Sequence, residues 1–252
     1  MNLSQSRARL IDRLGRRKTR ARDRAYVAEG VRCVAEVLAA RAAIGFAVVS
    51  PRLHQVPGGD RLLEQLRVAG IDTPEVDDET LNRLAGTETP QGVVAVCSEP
   101  DVQLTSPARV LIADAIQDPG NLGTLIRSAS AFDVDAIVTL DGTVDPYNAK
   151  VVRSSAGAVA RLPILMRSWD AVQSLVADWG LPLLVAAAGD DAEAPRPSGT
   201  WALVVGNEAR GVREPIRDAA SASIAIPMPG GIDSLNAGIA GSILMYALTQ
   251  PE

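Results

Sequence analysis

Histidine is almost missing from this 252-residue chain: His54, in a Pro/Gly-flanked loop, is the only one. Its scarcity removes Ser-His-Asp and Cys-His nucleophile schemes as candidates. It also leaves no His/Cys cluster with zinc-site spacing, so no metal is expected. Cysteine is nearly as rare. Cys33 and Cys97 are far apart in sequence and lie in apolar surroundings, which reads as two buried free thiols rather than a disulfide. No apolar run is long enough to span a bilayer. The polar, arginine-rich first residues have no apolar signal core behind them, so the expectation is a cytoplasmic protein with no membrane role. There is no GxGxxG pattern either. Asp141 does end a strand after the Gly120/Gly123 loop, where a ribose-binding acid falls in dinucleotide folds. Without the glycine fingerprint, a nucleotide-binding oxidoreductase is a poor fit.

The apolar content, 47%, is ordinary for a soluble globular protein, and the length suits one large or two modest domains. The net charge of −5 hides an asymmetry. Residues 1–24 hold nine bases (Arg7, Arg9, Arg13, Arg16, Arg17, Lys18, Arg20, Arg22 and Arg24) beside two acids, Asp12 and Asp23. A basic arm on an acidic body points to a polyanion partner, and arginine's planar fork suits phosphate. A solvated helix face is the bland alternative.

Along the chain, helical and strand patterns alternate. Glu29–Ala42 reads as an alanine-rich helix and Ile44–Val49 as a strand. Asp60–Ala69 and Asp77–Leu84 read as helices and Gly92–Cys97 as a buried strand. Residues 99–107, between Pro100 and Pro107, are the best linker. Beyond it, strands are expected at Val110–Ala113, Ala136–Leu140, Pro163–Met166, Pro182–Ala187, Trp201–Val205 and Ser223–Ile226. Helices are expected at Leu122–Ala131, Lys150–Ala160, Ala171–Trp179 and Asn236–Leu248. Such alternation predicts an α/β protein whose second half is a mainly parallel sheet with helices on both faces. Ligands bind beyond the carboxyl ends of such strands.

Three junctions in that second half are unusually polar and glycine-rich. The first runs from Asp118 to Arg127. It offers Asn121 as a helix cap, Gly120 and Gly123 near a helix start, and Arg127 nearly two turns inside. The second, Gly206-Asn207-Glu208-Ala209-Arg210-Gly211, follows an apolar strand directly. The third, Ile226 to Asn236, passes through Met228, Gly230 and Gly231 to the polar pair Ser234 and Asn236 at the start of a long apolar helix. Glycines there let backbone approach a ligand closely. Each junction alone could be a turn with a cap. Their recurrence at strand ends of one sheet favours a shared site.

Together the three segments resemble motifs one, two and three of the SpoU (TrmH-type) RNA ribose 2′-O-methyltransferases of the SPOUT superfamily. The matching pieces are Asn121-x-Gly123-x-x-x-Arg127, Gly206-Asn207-Glu208 with Gly211, and Ile226-Pro227-Met228 through Ser234-Leu235-Asn236. The likeness covers residues 108–250. Val27-Ala28-Glu29-Gly30 and Thr87-Glu88-Thr89-Pro90-Gln91-Gly92 more loosely resemble the family's substrate-binding domain, which is similar to the ribosomal L30e/L7Ae fold. Two departures are visible: Ala209 stands where a second glycine is common, and Ala237-Gly238 where Val-Ser is common.

The resemblance implies a basic N-terminal arm (1–24), an L30e-like RNA-binding domain (25–98), a linker (99–107) and a SPOUT methyltransferase domain (108–252). The last would be a parallel sheet with a deep trefoil knot, with the helix from Asn236 tucked through it. It implies S-adenosylmethionine as cofactor and a homodimer with sites near the interface. It also implies methylation of a ribose 2′-hydroxyl in RNA, ribosomal RNA of the 23S type before transfer RNA, with a catalytically silent RNA-binding protein as the alternative. Backbone at Gly206, Ile226 and Leu235, with Asn207 and Met228 beside them, would hold the cofactor. Arg127 would activate the 2′-hydroxyl, either as a base or by stabilising the alkoxide. Asn121, Glu208, Ser234 and Asn236 would orient Arg127, the ribose and the cofactor.

Overall fold

The computed structural model describes every residue except 1, 2, 102, 103, 188–191, 197, 231, 233, 251 and 252. The chain divides into two units, Met1–Asp101 with Tyr147–Arg161, and Val102–Pro146 with Leu162–Glu252. The first unit opens with α1 (Gln5–Leu14) and α2 (Arg17–Asp23). Then come β1 (Ala25–Glu29), α3 (Val31–Ala39), β2 (Ile44–Val49), α4 (Gly59–Val68), α5 (Asp78–Leu84) and β3 (Val93–Ser98). Central β3 pairs antiparallel with both β1 and β2. Its side chains alternate between two covered faces, which is why it reads as an unbroken apolar run. Val94 and Val96 of β3 and Phe46 and Val48 of β2 join Ile11 and Leu14 of α1 and Leu81 of α5 in one apolar cluster.

The described part of the basic arm belongs to the first unit and forms the two helices α1 and α2. Some of their charge is spent internally. Arg7 pairs with Asp72 and lies over the Phe46 ring, 4.8 Å from its centroid. Buried Arg20 donates to the carbonyls of Leu14 and Gly15 at 2.8 and 3.0 Å, closing the end of α1. Strand β1 also departs from the helical reading of this region. Gly30, at φ 90°, breaks the chain between β1 and α3, and β1 is held by its pairing with β3, from Ala25↔Ser98 to Glu29↔Val94.

The second unit continues with β4 (Arg109–Ala113), α6 (Pro119–Ala131) and β5 (Ala136–Thr139). Next comes α7 (Ala149–Ser154), which belongs to the first unit. Tyr147 before it stacks on Tyr26 at 5.2 Å. Gly157 after it, at φ 89°, lies so close to the Cys33 carbonyl that a side chain there would collide, and Arg161 pairs with Glu36. The second unit resumes with β6 (Ile164–Met166), α8 (Trp169–Asp178), β7 (Leu183–Ala186), β8 (Trp201–Val205), α9 (Glu214–Asp218), β9 (Ala222–Ile224) and α10 (Ala237–Thr249). Its six strands are all parallel, in the order β6-β5-β4-β8-β7-β9.

Helices cover both faces of this sheet. Val110, Ile112, Val138, Val185 and Val204 face Val172 and Val176 of α8 and Ile216 of α9. On the other face α10 packs on α6 and β8. A side chain at Gly241 would run into Leu125 and Val205, and one at Gly238 would press on the Asn121 backbone. Two small residues thus set the depth at which α10 lies. Successive strands diverge to opposite sides of β4, so the crevice at the carboxyl ends of β4 and β8 is the switch point where α/β sheets bind ligands. Among the described residues no helix is long and apolar enough to cross a membrane.

Candidate active site

All three polar junctions reach that crevice. Helix α6 starts one turn before its predicted first residue, with Asp118, not Asn121, as its cap: the Asp118 carboxylate accepts from the Asn121 N–H at 2.9 Å, and Pro119 fills the first helical position. Asn121 is thereby released from capping, and its buried amide points elsewhere. Asn236 does cap α10, its Oδ1 accepting from the Ile239 N–H at 3.2 Å. A backbone N–H can only donate, so this bond fixes the amide's orientation and leaves Nδ2 to donate in turn. It donates to Asn121 Oδ1 at 2.7 Å. Asn121 Nδ2 then donates to Glu208 Oε1 at 2.7 Å. One directed chain of donors crosses from the third junction through the first and ends on a carboxylate in the second.

The second junction is folded back on itself. Asn207 and Gly211 exchange backbone hydrogen bonds of 3.1 and 2.8 Å. The Asn207 side chain accepts from the N–H groups of Ala209 and Arg210 and donates to the Ala115 carbonyl at 2.9 Å. Its side chain is therefore a brace for the loop, tied to the end of β4. A side chain at Gly206 would collide with the backbone of Gly211 and Val212, and Gly211 sits at φ 67°. Ala209, the departure from the resemblance, is not among the positive-φ residues, so its backbone does not demand glycine.

Sequence reading did not find the ion pair that anchors this loop. Fully buried Asp114, at the end of β4, accepts from Arg213 Nε at 2.6 Å and from its backbone N–H at 2.9 Å. A carboxylate closing the apolar run Val110–Ala113 was the available signal, since a buried charge needs a partner.

Beside the amide chain lies a cavity of about 510 Å³. Gly206, Asn207, Glu208, Ile226, Met228, Ser234, Leu235 and Asn236 all line it, with Ala186 and Leu244 completing apolar walls. Exposed Ser234 has no hydrogen-bond partner among the described residues. A side chain at Gly230 would begin in open space; Gly231 lies outside the described residues. Asn121 reaches the cavity through its bonds to two lining residues rather than as part of the wall. Arg127 is the exception. It is exposed on α6, without a hydrogen bond or ion pair among the described residues, and it does not line this cavity. At roughly 3.6 residues per turn, the six-residue step from Asn121 turns it to another face of the helix.

Residues 108–246 match the model of the SpoU rRNA Methylase family, and residues 6–95 match the MRM3-like substrate binding domain. The chain is 36% identical over 182 residues to the 23S rRNA (guanosine(2553)-2′-O)-methyltransferase RlmP of Bacillus subtilis, covering 71% of this chain and 73% of that one. It is 34% identical over 218 residues to the 23S rRNA (guanosine-2′-O-)-methyltransferase RlmB of Xanthomonas axonopodis pv. citri, covering 78% and 82%. A crystal structure of an RNA 2′-O ribose methyltransferase superposes with a TM-score of 0.78 at 29% identity, over 97% of this chain and 95% of that one. With two thirds or more of each relative covered and a family model spanning more than half its length, the chain belongs to the SpoU rRNA methylase family.

Proposed function

We propose that this protein methylates a ribose 2′-hydroxyl of RNA, 23S-type ribosomal RNA in the first place, with S-adenosylmethionine as methyl donor. The observation that carries this reading is the directed amide chain linking all three junctions beside one cavity of mixed polar and apolar lining. The cavity fits the cofactor. Its volume suits a ligand of that size, Ile226, Met228 and Leu235 supply apolar walls, and Gly206 contributes backbone alone to the lining. When bound, the cofactor supplies an activated methyl and its own leaving group. The chain's residues do the remaining work. Asn236, Asn121 and Glu208 hold the loops in fixed register, and the cavity's apolar walls keep water from the reacting atoms. The printed activities of the Bacillus and Xanthomonas relatives support ribosomal RNA as substrate. A ribosomal RNA substrate supports a cytoplasmic protein as the reading.

An arginine keeps its proton in water, so Arg127 would act as a cation holding the developing alkoxide or a neighbouring phosphate. Its position outside the cavity favours a homodimer, in which a second copy brings an arginine to each site. The outer face of α10 supports this: Ile239, Ile243 and Tyr246 are 50%, 38% and 53% exposed and fall on one helical stripe. The family reading also implies a trefoil knot with α10 as its threaded element, and the close approach at Gly238 and Gly241 is compatible with that. Arg9, Arg16, Arg17 and Lys18, on α1, α2 and the turn between them, have no ion-pair partner among the described residues and would meet RNA phosphates.

Transfer of tritiated methyl from labelled S-adenosylmethionine to unmodified ribosomal and transfer RNA tests the proposal. Label on ribosomal RNA, mapped to a 2′-O position, is expected, and absence of label on both RNAs would refute it. Arg127→Ala should abolish transfer while leaving cofactor affinity nearly intact by calorimetric titration; wild-type turnover in the variant would remove that role.

A further inference from the structure

A second cavity, of about 310 Å³, lies wholly in the first unit. Its wall is assembled from three separate stretches: Glu29 to Cys33 at the β1–α3 junction, the loop from Thr87 to Gln91, and Arg153 with Ala156 beyond the linker in sequence. The chemistry of that wall is one-sided. Arg32 and Arg153 are exposed and neither has a hydrogen bond or ion pair among the described residues. Gln91 Oε1 accepts from the Val31 N–H at 2.9 Å, which orients the amide and leaves Nε2 as a donor with no partner among the described residues. Exposed Thr89 adds a hydroxyl. The single carboxylate in the wall, Glu29, is already engaged by the Gly86 N–H at 2.9 Å and by the Thr87 hydroxyl. Those bonds tie the 87–91 loop to the end of β1. Gly30, at φ 90°, lets the chain pass close to Gln91, whose Oε1 a side chain there would meet at 2.9 Å. The cavity therefore has a braced frame and an excess of free donors, two of them positively charged.

We infer that this cavity is a binding site for one unpaired nucleotide of the RNA substrate. Its phosphate lies between Arg32 and Arg153, and its base presents carbonyl oxygens to Gln91 and Thr89. A cavity of this size admits one extruded nucleotide and no duplex. Guanidinium forks match phosphate oxygens in pairs, and RNA loops are recognised through splayed-out bases whose edges accept hydrogen bonds. The site rests on the proposed RNA substrate. It adds where on the first unit a looped-out nucleotide is gripped, and it makes Arg153, from the segment that follows β5, part of substrate recognition.

The test is fluorescence anisotropy of the full-length protein against in-vitro-transcribed 23S rRNA fragments, over a series of salt concentrations, with S-adenosylmethionine affinity measured in parallel. Arg32→Gln and Arg153→Gln remove charge at exposed side chains without internal partners, so folding is not at stake. The double variant should bind the fragment at least about tenfold more weakly, its salt slope reduced by about 0.7 for each phosphate no longer neutralised. Its cofactor affinity should equal that of the unaltered protein. Thr89→Val, which removes a neutral donor at an exposed position, should weaken binding without changing the salt slope. If the unaltered protein binds the fragment and the double variant binds it with the same affinity and slope, the nucleotide site is wrong while the proposed function stands. If the unaltered protein binds no RNA, both fall.

Discussion

Single side chains here are set by what their neighbours can donate. Asn121 illustrates this, because its two bonds join loops that are otherwise separate in sequence. In Asn121→Ala, exposed Glu208 and Asn236 turn to water, so stability should fall by only about 1 kcal/mol. Cofactor affinity should fall about tenfold, some 1.4 kcal/mol, because the loops lose their common register. Calorimetric titration against thermal unfolding separates the two effects, and unchanged affinity would count against the amide chain. The cysteines make a different prediction. Burial pushes the Cys33 thiol up to about 12 and raises Cys97 further in the same direction. An unfolded thiol ionises near about 8.5, so the contribution of these groups is complete below that pH. It is lost as pH rises from there toward about 12, because the unfolded chain releases protons first. Denaturant midpoints should therefore drop between pH 8 and pH 10, and both thiols should resist a disulfide reagent until unfolding. Equal midpoints would contradict this account.

At the scale of elements, glycine placement decides how loops and helices close. Gly206→Ala would drive a methyl group into backbone at Gly211 and Val212, which has no rotamer to yield. The loop should open, abolishing cofactor binding while lowering the melting temperature by only a few degrees; retained binding by calorimetry would show that the turn tolerates a side chain. These junctions were legible in the sequence because Gly, Asn and Asp at strand ends carry their own backbone chemistry. The six strands of the second unit were legible as apolar runs between helical patterns. What was not legible depends on distant partners. Strand β1 has no signal of its own in the sequence: the expected helix Glu29–Ala42 takes in its last residue, and pairing with β3 holds the five residues extended. Asp118 displaced Asn121 as cap because Asn121 is bound by Glu208 and Asn236, 87 and 115 residues away. Short α9 offered no periodicity at all.

At the scale of the whole molecule, charge and apolar surface are segregated. Among the described residues, Arg9, Arg17 and Lys18 on α1 and α2 have no ion-pair partner, and Ile239, Ile243 and Tyr246 form an exposed apolar stripe on α10. If that stripe is a homodimer face, Tyr246→Glu with Ile243→Glu should halve the mass seen by light scattering and strip methyl transfer, while cofactor affinity stays within about threefold of normal, under 1 kcal/mol. A dimer that persists in the double variant would exclude this face. The sequence places the boundary between its two larger domains at residues 99–107, whereas the return of Tyr147–Arg161 to the first unit makes the chain pass between units three times. Synthesis gives that return segment a further meaning. A ribosome that has released residues 1–107 has not yet made Tyr147, which covers Tyr26, or Arg153, which lines the small cavity. The first unit, although it begins at the amino end, can be finished only after much of the second has emerged. Neither unit can be separated from the other by a single cut of the chain.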